Sequence, residues 1–339
     1  SEIAISLNEI GTLHSHLGQY KEAEVYYQKA IKVNKKVFGG NHPRTAEILN
    51  NLGSTYESLS EYEKAEPLYK ESLEIYKKVY GADNTKTALV LNSLGKLNSS
   101  LGKYEVAKAF YQEALKINKE VFGLNHPKTA LYLNNIGAIY LYLGQYKKAE
   151  PLFKESLEIY KKLYGLENYD TARALNNLGN LYDQLNMFKL AEPYYKEALE
   201  VNKKVYGIEH PITAKSLSNL GSLYLSLSQF EKAEPLYQQS FEIFKKIFGM
   251  EHPYTALSLN KLGALHYHLG QYEKAIPLYK ESLEISKKVF GIDHPDTITW
   301  SNNLASLYSS QGQHEKAELL YKESLEISKK VFGIEHSKT

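Results

Sequence analysis

Histidine is the residue whose type and spacing first suggest chemistry here: His42, His126, His210, His252, His294 and His336 are separated by 42 residues or by twice that. Imidazole binds metal, but the ligands of one ion must converge within a few ångströms, and neighbouring packed helices lie about 10 Å apart. The spacing therefore favours capping and loop packing over a metal centre. Lysine pairs recur on the same period, at Lys35-Lys36, Lys77-Lys78, Lys161-Lys162, Lys203-Lys204, Lys245-Lys246, Lys287-Lys288 and Lys329-Lys330. Such a stripe can hold a polyanion, and it equally suits the C-terminal ends of helices, where cations complement the helix dipole. The whole chain offers no attracting field: 41 basic and 39 acidic residues leave a net charge of +2, which argues against nucleic acid or a membrane surface as partner. Without cysteine there are no disulfides, thiol nucleophiles or thiolate zinc sites, in keeping with a reducing, cytoplasmic setting. No nucleophile elbow, phosphate loop, calcium loop or paired-histidine zinc helix occurs. We expect neither an enzyme nor a cofactor.

The elements that position these side chains follow from one repeat. Gly11, Gly53, Gly95, Gly137, Gly179, Gly221, Gly263 and Ala305 are each 42 residues apart, and each is taken as position 0 of its copy. Eight copies fill residues 1–339, with an alanine at +12 and a glycine at +28 in every copy. All ten prolines fall at +14 or +32. No linker composition intervenes, so a single array is expected. Positions −7, −4, −1, 0 and +3 are apolar or small and lie on one face of a first helix, A; +9, +12, +15, +16, +20 and +22 do so on a second, B. The small residues at 0 and +12 predict a close approach of the two helix backbones. Glycine at +28 should end helix B, position +31 should cap the next helix A and proline at +32 should start it. Where that proline is missing, +31 is Asn84 or Asn168, a preferred N-cap residue. Prolines at +14, such as Pro67 and Pro151, predict a local distortion of helix B rather than a break.

The small residue at 0, alanine at +12, aromatic at +16 and small residue at +19 resemble the tetratricopeptide repeat. The 42-residue unit, with Leu-Asn-Asn-Leu-Gly at Leu49 to Gly53 and Phe-Gly-x-x-His-Pro at Phe122 to Pro127, is similar to the longer repeat of kinesin light chains. Similar repeats occur in signalling ATPases and in proteins with caspase-like domains. The resemblance implies an all-α fold, a right-handed α-solenoid of eight helix-turn-helix repeats, whose inner surface of A helices binds extended peptides. An 84-residue superperiod is also present: position +23 alternates Asn34, Tyr76, Asn118, Tyr160, Asn202 and Phe244 before Ser286 and Ser328 end the pattern.

On helix A, positions −6, −2, +1 and +5 lie opposite the buried stripe at about 100° per residue, and −3 flanks it. These positions should face the groove. Position −3 is asparagine in seven copies, including Asn92, Asn134, Asn176 and Asn260, with Ser218 the exception. A row of amides can bind the backbone of an extended peptide, or it can join neighbouring helices. Variable positions offer discrimination, among them Asn135, Tyr142, Asn177, Asn180 and Asn219. Arg173, Lys215 and Lys261 place cations on successive A helices, either as a clamp for a carboxylate or as scattered solvated charge, with Asp183 a candidate ion-pair partner. The expected function is a non-enzymatic module binding an extended, acidic peptide or protein segment. The alternative is a regulatory arm of a larger signalling enzyme that contacts its own chain or a folded protein. Ser1 would lie inside the first A helix and Thr339 at the start of a ninth, so we expect a piece of a longer array, its ends stacking on flanking repeats or on other copies.

Overall fold

The computed structural model describes residues 2–59 and 61–332; among them the regular elements are sixteen α-helices, without strands. Expectations that fall on Ser1, Gly333, His336 and Thr339 lie outside the described residues. The chain divides into two compact units, Ser1–Gly165 and Leu166–Thr339. In the first, the A helices are α1 (Glu2–His16), α3 (Pro43–Ser58), α5 (Thr85–Ser100) and α7 (Pro127–Tyr142), paired with the B helices α2 (Tyr20–Phe38), α4 (Tyr62–Tyr80), α6 (Tyr104–Phe122) and α8 (Tyr146–Tyr164). In the second, α9 (Tyr169–Gln184), α11 (Pro211–Ser226), α13 (Pro253–His268) and α15 (Pro295–Ser310) pair with α10 (Phe188–Tyr206), α12 (Phe230–Phe248), α14 (Tyr272–Phe290) and α16 (His314–Phe332).

The recurring histidines are N-caps. The His42, His126, His210 and His252 Nδ1 atoms each accept the backbone N–H two residues on, at 3.2 Å, and His294 does so at 3.0 Å. Asn84 and Asn168 accept the equivalent N–H at 2.8 Å. Each imidazole also stacks on the aromatic ring four residues before it, with centroids 4.0 Å apart for Phe122 and His126 and 4.1 Å for Phe248 and His252. The ring nitrogen is thus committed to the helix start.

Helix A ends at a left-handed residue at +7, usually glycine, in a Schellman turn: Gly144 N–H donates to the Leu141 carbonyl and Gln145 N–H to the Tyr140 carbonyl. Asn186 and Ser228 take this conformation with φ of 55°. Glycine at +28 does end helix B at positive φ, but with extended ψ, as at Gly81 (φ 91°, ψ 167°), a region all but closed to other residues. The threonine six residues on seals the corner, its hydroxyl donating to that glycine's carbonyl, as Thr87 does to Gly81 at 2.9 Å. The B helices run unbroken through Pro67, Pro151, Pro193, Pro235 and Pro277.

The glycine at 0 has a different reason from the one the sequence suggested. What lies against it is the ring at +16: a Cβ on Gly95 would come within 2.6 Å of Tyr111, and one on Gly137 within 2.8 Å of Phe153. The aromatic side chain, rather than the facing backbone, needs the space. Tyr27, Tyr69, Phe153, Tyr237 and Tyr279 are buried in this way. In copy eight, Ala305 stands at position 0 and Tyr321 is 42% exposed. The buried face of helix A is also broader than expected and takes in −8, −5 and +2, as at Thr129, Tyr132 and Ile139.

Candidate functional site

The amides at −3 join neighbouring A helices. Asn51 Nδ2 donates to Asn8 Oδ1 at 3.1 Å, and Asn135 to Asn92 at 2.8 Å. In the second unit Asn219 reaches Asn176 at 3.4 Å and Asn303 reaches Asn260 at 3.0 Å. The rule is that asparagine at −2 of one copy clamps asparagine at −3 of the copy before it. Asn134 is buried, and Asn176 also donates to the Ala172 carbonyl at 3.1 Å.

Each unit has one place where the clamp is missing, and each also holds a buried charged group. In the first unit Asn50 faces Ser93 in the repeat register, and Asn50 Oδ1 is buried without a hydrogen-bond partner. About two turns further along α3, Glu57 is 7% exposed. Tyr69 donates its hydroxyl to Glu57 Oε2 at 3.0 Å, and Lys96 Nζ lies 3.4 Å from Oε1. Burial outweighs these partners and raises the pKa of Glu57.

In the second unit the exceptions are Ser218 at −3 and Lys261 at −2. With no amide to meet, Lys261 Nζ donates to Ser222 Oγ at 2.9 Å, and Tyr237 donates its hydroxyl to the same Ser222 oxygen at 3.1 Å. Desolvation lowers the Lys261 pKa even though the Asp183 charge opposes the shift. Burial likewise raises Asp183, against the pull of Lys261. The adjacent Asn260 Nδ2 is buried and has no acceptor. An ammonium with three donors and one hydroxyl acceptor is chemically ready for an anionic oxygen.

The other predicted cations are engaged locally. Arg173 pairs with Asp170 at 2.7 Å and lies over the Tyr169 ring, so its partner is not Asp183. Lys215 donates to the Tyr254 hydroxyl at 2.7 Å. The three cations thus have three separate partners. Tyr142 is exposed and stacks on Tyr104 at 5.4 Å; Asn180 is exposed and Asn177 half-buried. In the second unit the second lysine of each pair is in an ion pair: Lys204 meets Glu167 at 3.4 Å, Lys246 meets Glu209 at 2.7 Å, Lys288 pairs with Glu251, and Lys330 meets Asp293 at 3.1 Å.

Glu57 and Lys96 escaped the sequence reading. Position +4 lies only about 40° round the helix from position 0, at the margin of the buried stripe. Across the copies it reads Ser15, Glu57, Ser99, Leu141, Asp183, Leu225, Tyr267 and Ser309. Acids stand there only in copies two and five, and that was the available signal. No group of three or more potential metal ligands occurs among the described residues, and none of their helices is long and apolar enough to cross a membrane.

Comparison with known proteins agrees with this architecture. The family profile described as tetratricopeptide repeat matches residues 2–78, 58–120, 87–162, 128–204, 170–246 and 249–330, and the chain belongs to that family. Proteins built from this repeat generally mediate protein–protein interactions. Among solved structures, BtubC (BKLC) from P. vanneervenii is similar at 24% identity and a TM-score of 0.52, over 72% of this chain and 92% of that one. The apo form of RapI matches at 20% identity and 0.61, over 84% and 98%, and a Rap protein complexed with competence and sporulation factor at 16% and 0.65, over 97% and 98%. These likenesses are of fold. No curated protein sequence matches significantly.

Proposed function

We propose that the chain is a protein-interaction module whose A-helix faces bind an extended segment of a partner, and that Lys261 captures an acidic side chain or terminal carboxylate of that segment. The observation that carries this reading is the state of Lys261: a desolvated ammonium on α13 whose hydrogen-bond acceptor is the Ser222 hydroxyl. A carboxylate placed there would accept from the ammonium and offset the cost of its burial. The amide clamps on either side hold the A helices at fixed spacing, so the site is set before the ligand arrives.

The test is calorimetry with acidic peptides at two salt concentrations. Lys261→Met keeps the stem and removes the charge; it should weaken binding by about 10-fold or more if a charged hydrogen bond is lost, and flatten the salt dependence. Lys245→Ala with Lys246→Ala should do little, because Lys246 is paired with Glu209 away from this site. Equal losses for the two variants would show non-specific electrostatics and sink the assignment.

A further inference from the structure

The first unit contains a cavity of about 310 Å³ between α1 and α3. Ala4, Asn34 and Ile48 form its closed end, and Glu9, Arg44 and Glu47 stand at its rim. Asn34 is fully buried; its Nδ2 donates to Thr45 Oγ1 at 2.7 Å, while its Oδ1 has no hydrogen-bond partner.

The chain itself shows what belongs in such a place. Moving 84 residues along, Ala4, Asn34 and Ile48 become Ala88, Asn118 and Tyr132. The Tyr132 ring is buried there, its hydroxyl 3.5 Å from the Ala88 carbonyl. Positions +23 and −5 of consecutive copies alternate in size in the same way elsewhere: buried Tyr76 goes with Val90, Phe244 with Ser258, and Ser286 with Trp300. Each of these pairs supplies one ring. Asn202 and Ser216 supply none, but hydrogen-bond each other at 2.8 Å. Among the six such pairs within the units, Asn34 and Ile48 have neither a ring nor a mutual hydrogen bond, and theirs is where the cavity lies. Protein interiors are otherwise close-packed.

We infer that this cavity is a binding site for a phenolic ring, whose hydroxyl meets the Ala4 carbonyl as Tyr132 meets that of Ala88. The phenol is either a small molecule or the head of a tyrosine side chain on a partner. The site stands apart from Lys261, and neither assignment depends on the other.

The probe is p-cresol, titrated into the full chain while the methyl signals of Ala4, Ile5 and Ile48 are followed by NMR. A ligand of this size should saturate with a Kd of about 1 mM. Toluene, which lacks the hydroxyl, should bind about fivefold more weakly, and Lys261→Met should bind p-cresol as the wild type does. Ile48→Tyr should raise Tm and abolish the shifts at Ala4 and Ile5, because the chain then carries its own phenol. Saturation by N-acetyltyrosinamide as well points to a partner's tyrosine, and saturation by p-cresol alone to a free phenol; either supports the site. Absence of saturable shifts in the wild type, or toluene binding as tightly as p-cresol, overturns it.

Discussion

At the scale of single residues, the glycine at position 0 and the histidine at +31 turn one local requirement into a repeated rule. A methyl group on Gly137 would press into Phe153 at 2.8 Å, and the ring has the core on its other side. Gly137→Ala should therefore cost about 1–3 kcal/mol, read as a lowered midpoint in chemical denaturation. The caps carry a pH dependence. His252 Nδ1 accepts a backbone N–H only while the ring is neutral, and burial, aided by the Lys215 charge, lowers its pKa from 6.5 to about 4. The folded pKa is below the unfolded one, so the unfolded chain takes the proton first. The contribution is complete above about pH 6.5 and is lost as the pH falls towards 4. Because His252 is only partly buried, the loss between pH 7 and 5 is discounted for solvent screening to about 1 kcal/mol. His252→Asn preserves the cap, as Asn84 and Asn168 do, and should lose less Tm than the wild type over that interval. Equal losses would show that the cap does not titrate.

At the scale of the elements, the sequence made both helices of each copy legible, because the periodic apolar face, the +31 cap and the +28 glycine agree with one another. It also predicted a local distortion rather than a break at Pro67 and its equivalents, and helix B runs on through them. It did not show which group each asparagine meets. Position −3 alone leaves a peptide-binding row and a join between helices both open; only when −2 of the next copy is set against it do Asn51 and Asn8, or Asn135 and Asn92, become a clamp. That pairing crosses 43 residues of chain, beyond the reach of any helical wheel. Asn135→Ala should leave Asn92 Oδ1 without its donor and cost about 1–2 kcal/mol. The reverse change is the sharper test. Ser93→Asn supplies the missing donor opposite the orphaned Asn50 Oδ1, and a clamp formed there should stabilise the protein by about 1 kcal/mol. A lowered Tm for Ser93→Asn would mean that the space beside Asn50 is not available to an amide.

At the scale of the whole molecule, repetition separates what must be constant from what is free to vary. The clamps, caps and ring-on-glycine contacts recur, so copies can be stacked without regard to their other positions. The departures, at Glu57, Lys261 and Ile48, then stand out as places where the constant frame is used for something else. The frame is also local. One buried cluster, running from Ala23 to Tyr132, and a second around Tyr111 and Ile139 lie within the first unit, while the cluster from Ala256 to Ala317 lies within the second. In an array stabilised by each copy and its nearest neighbours, stability is a sum over repeats and their interfaces, and a cut between copies removes only one interface. Residues 1–165 and 166–339, expressed separately, should each fold with helical circular dichroism and a cooperative melt, each at a lower Tm than the full chain. The second fragment should keep its affinity for acidic peptides, since Lys261, Ser222, Tyr237 and Asp183 all belong to it. A folded second fragment that no longer binds would mean that the ligand needs groups from the first four copies as well.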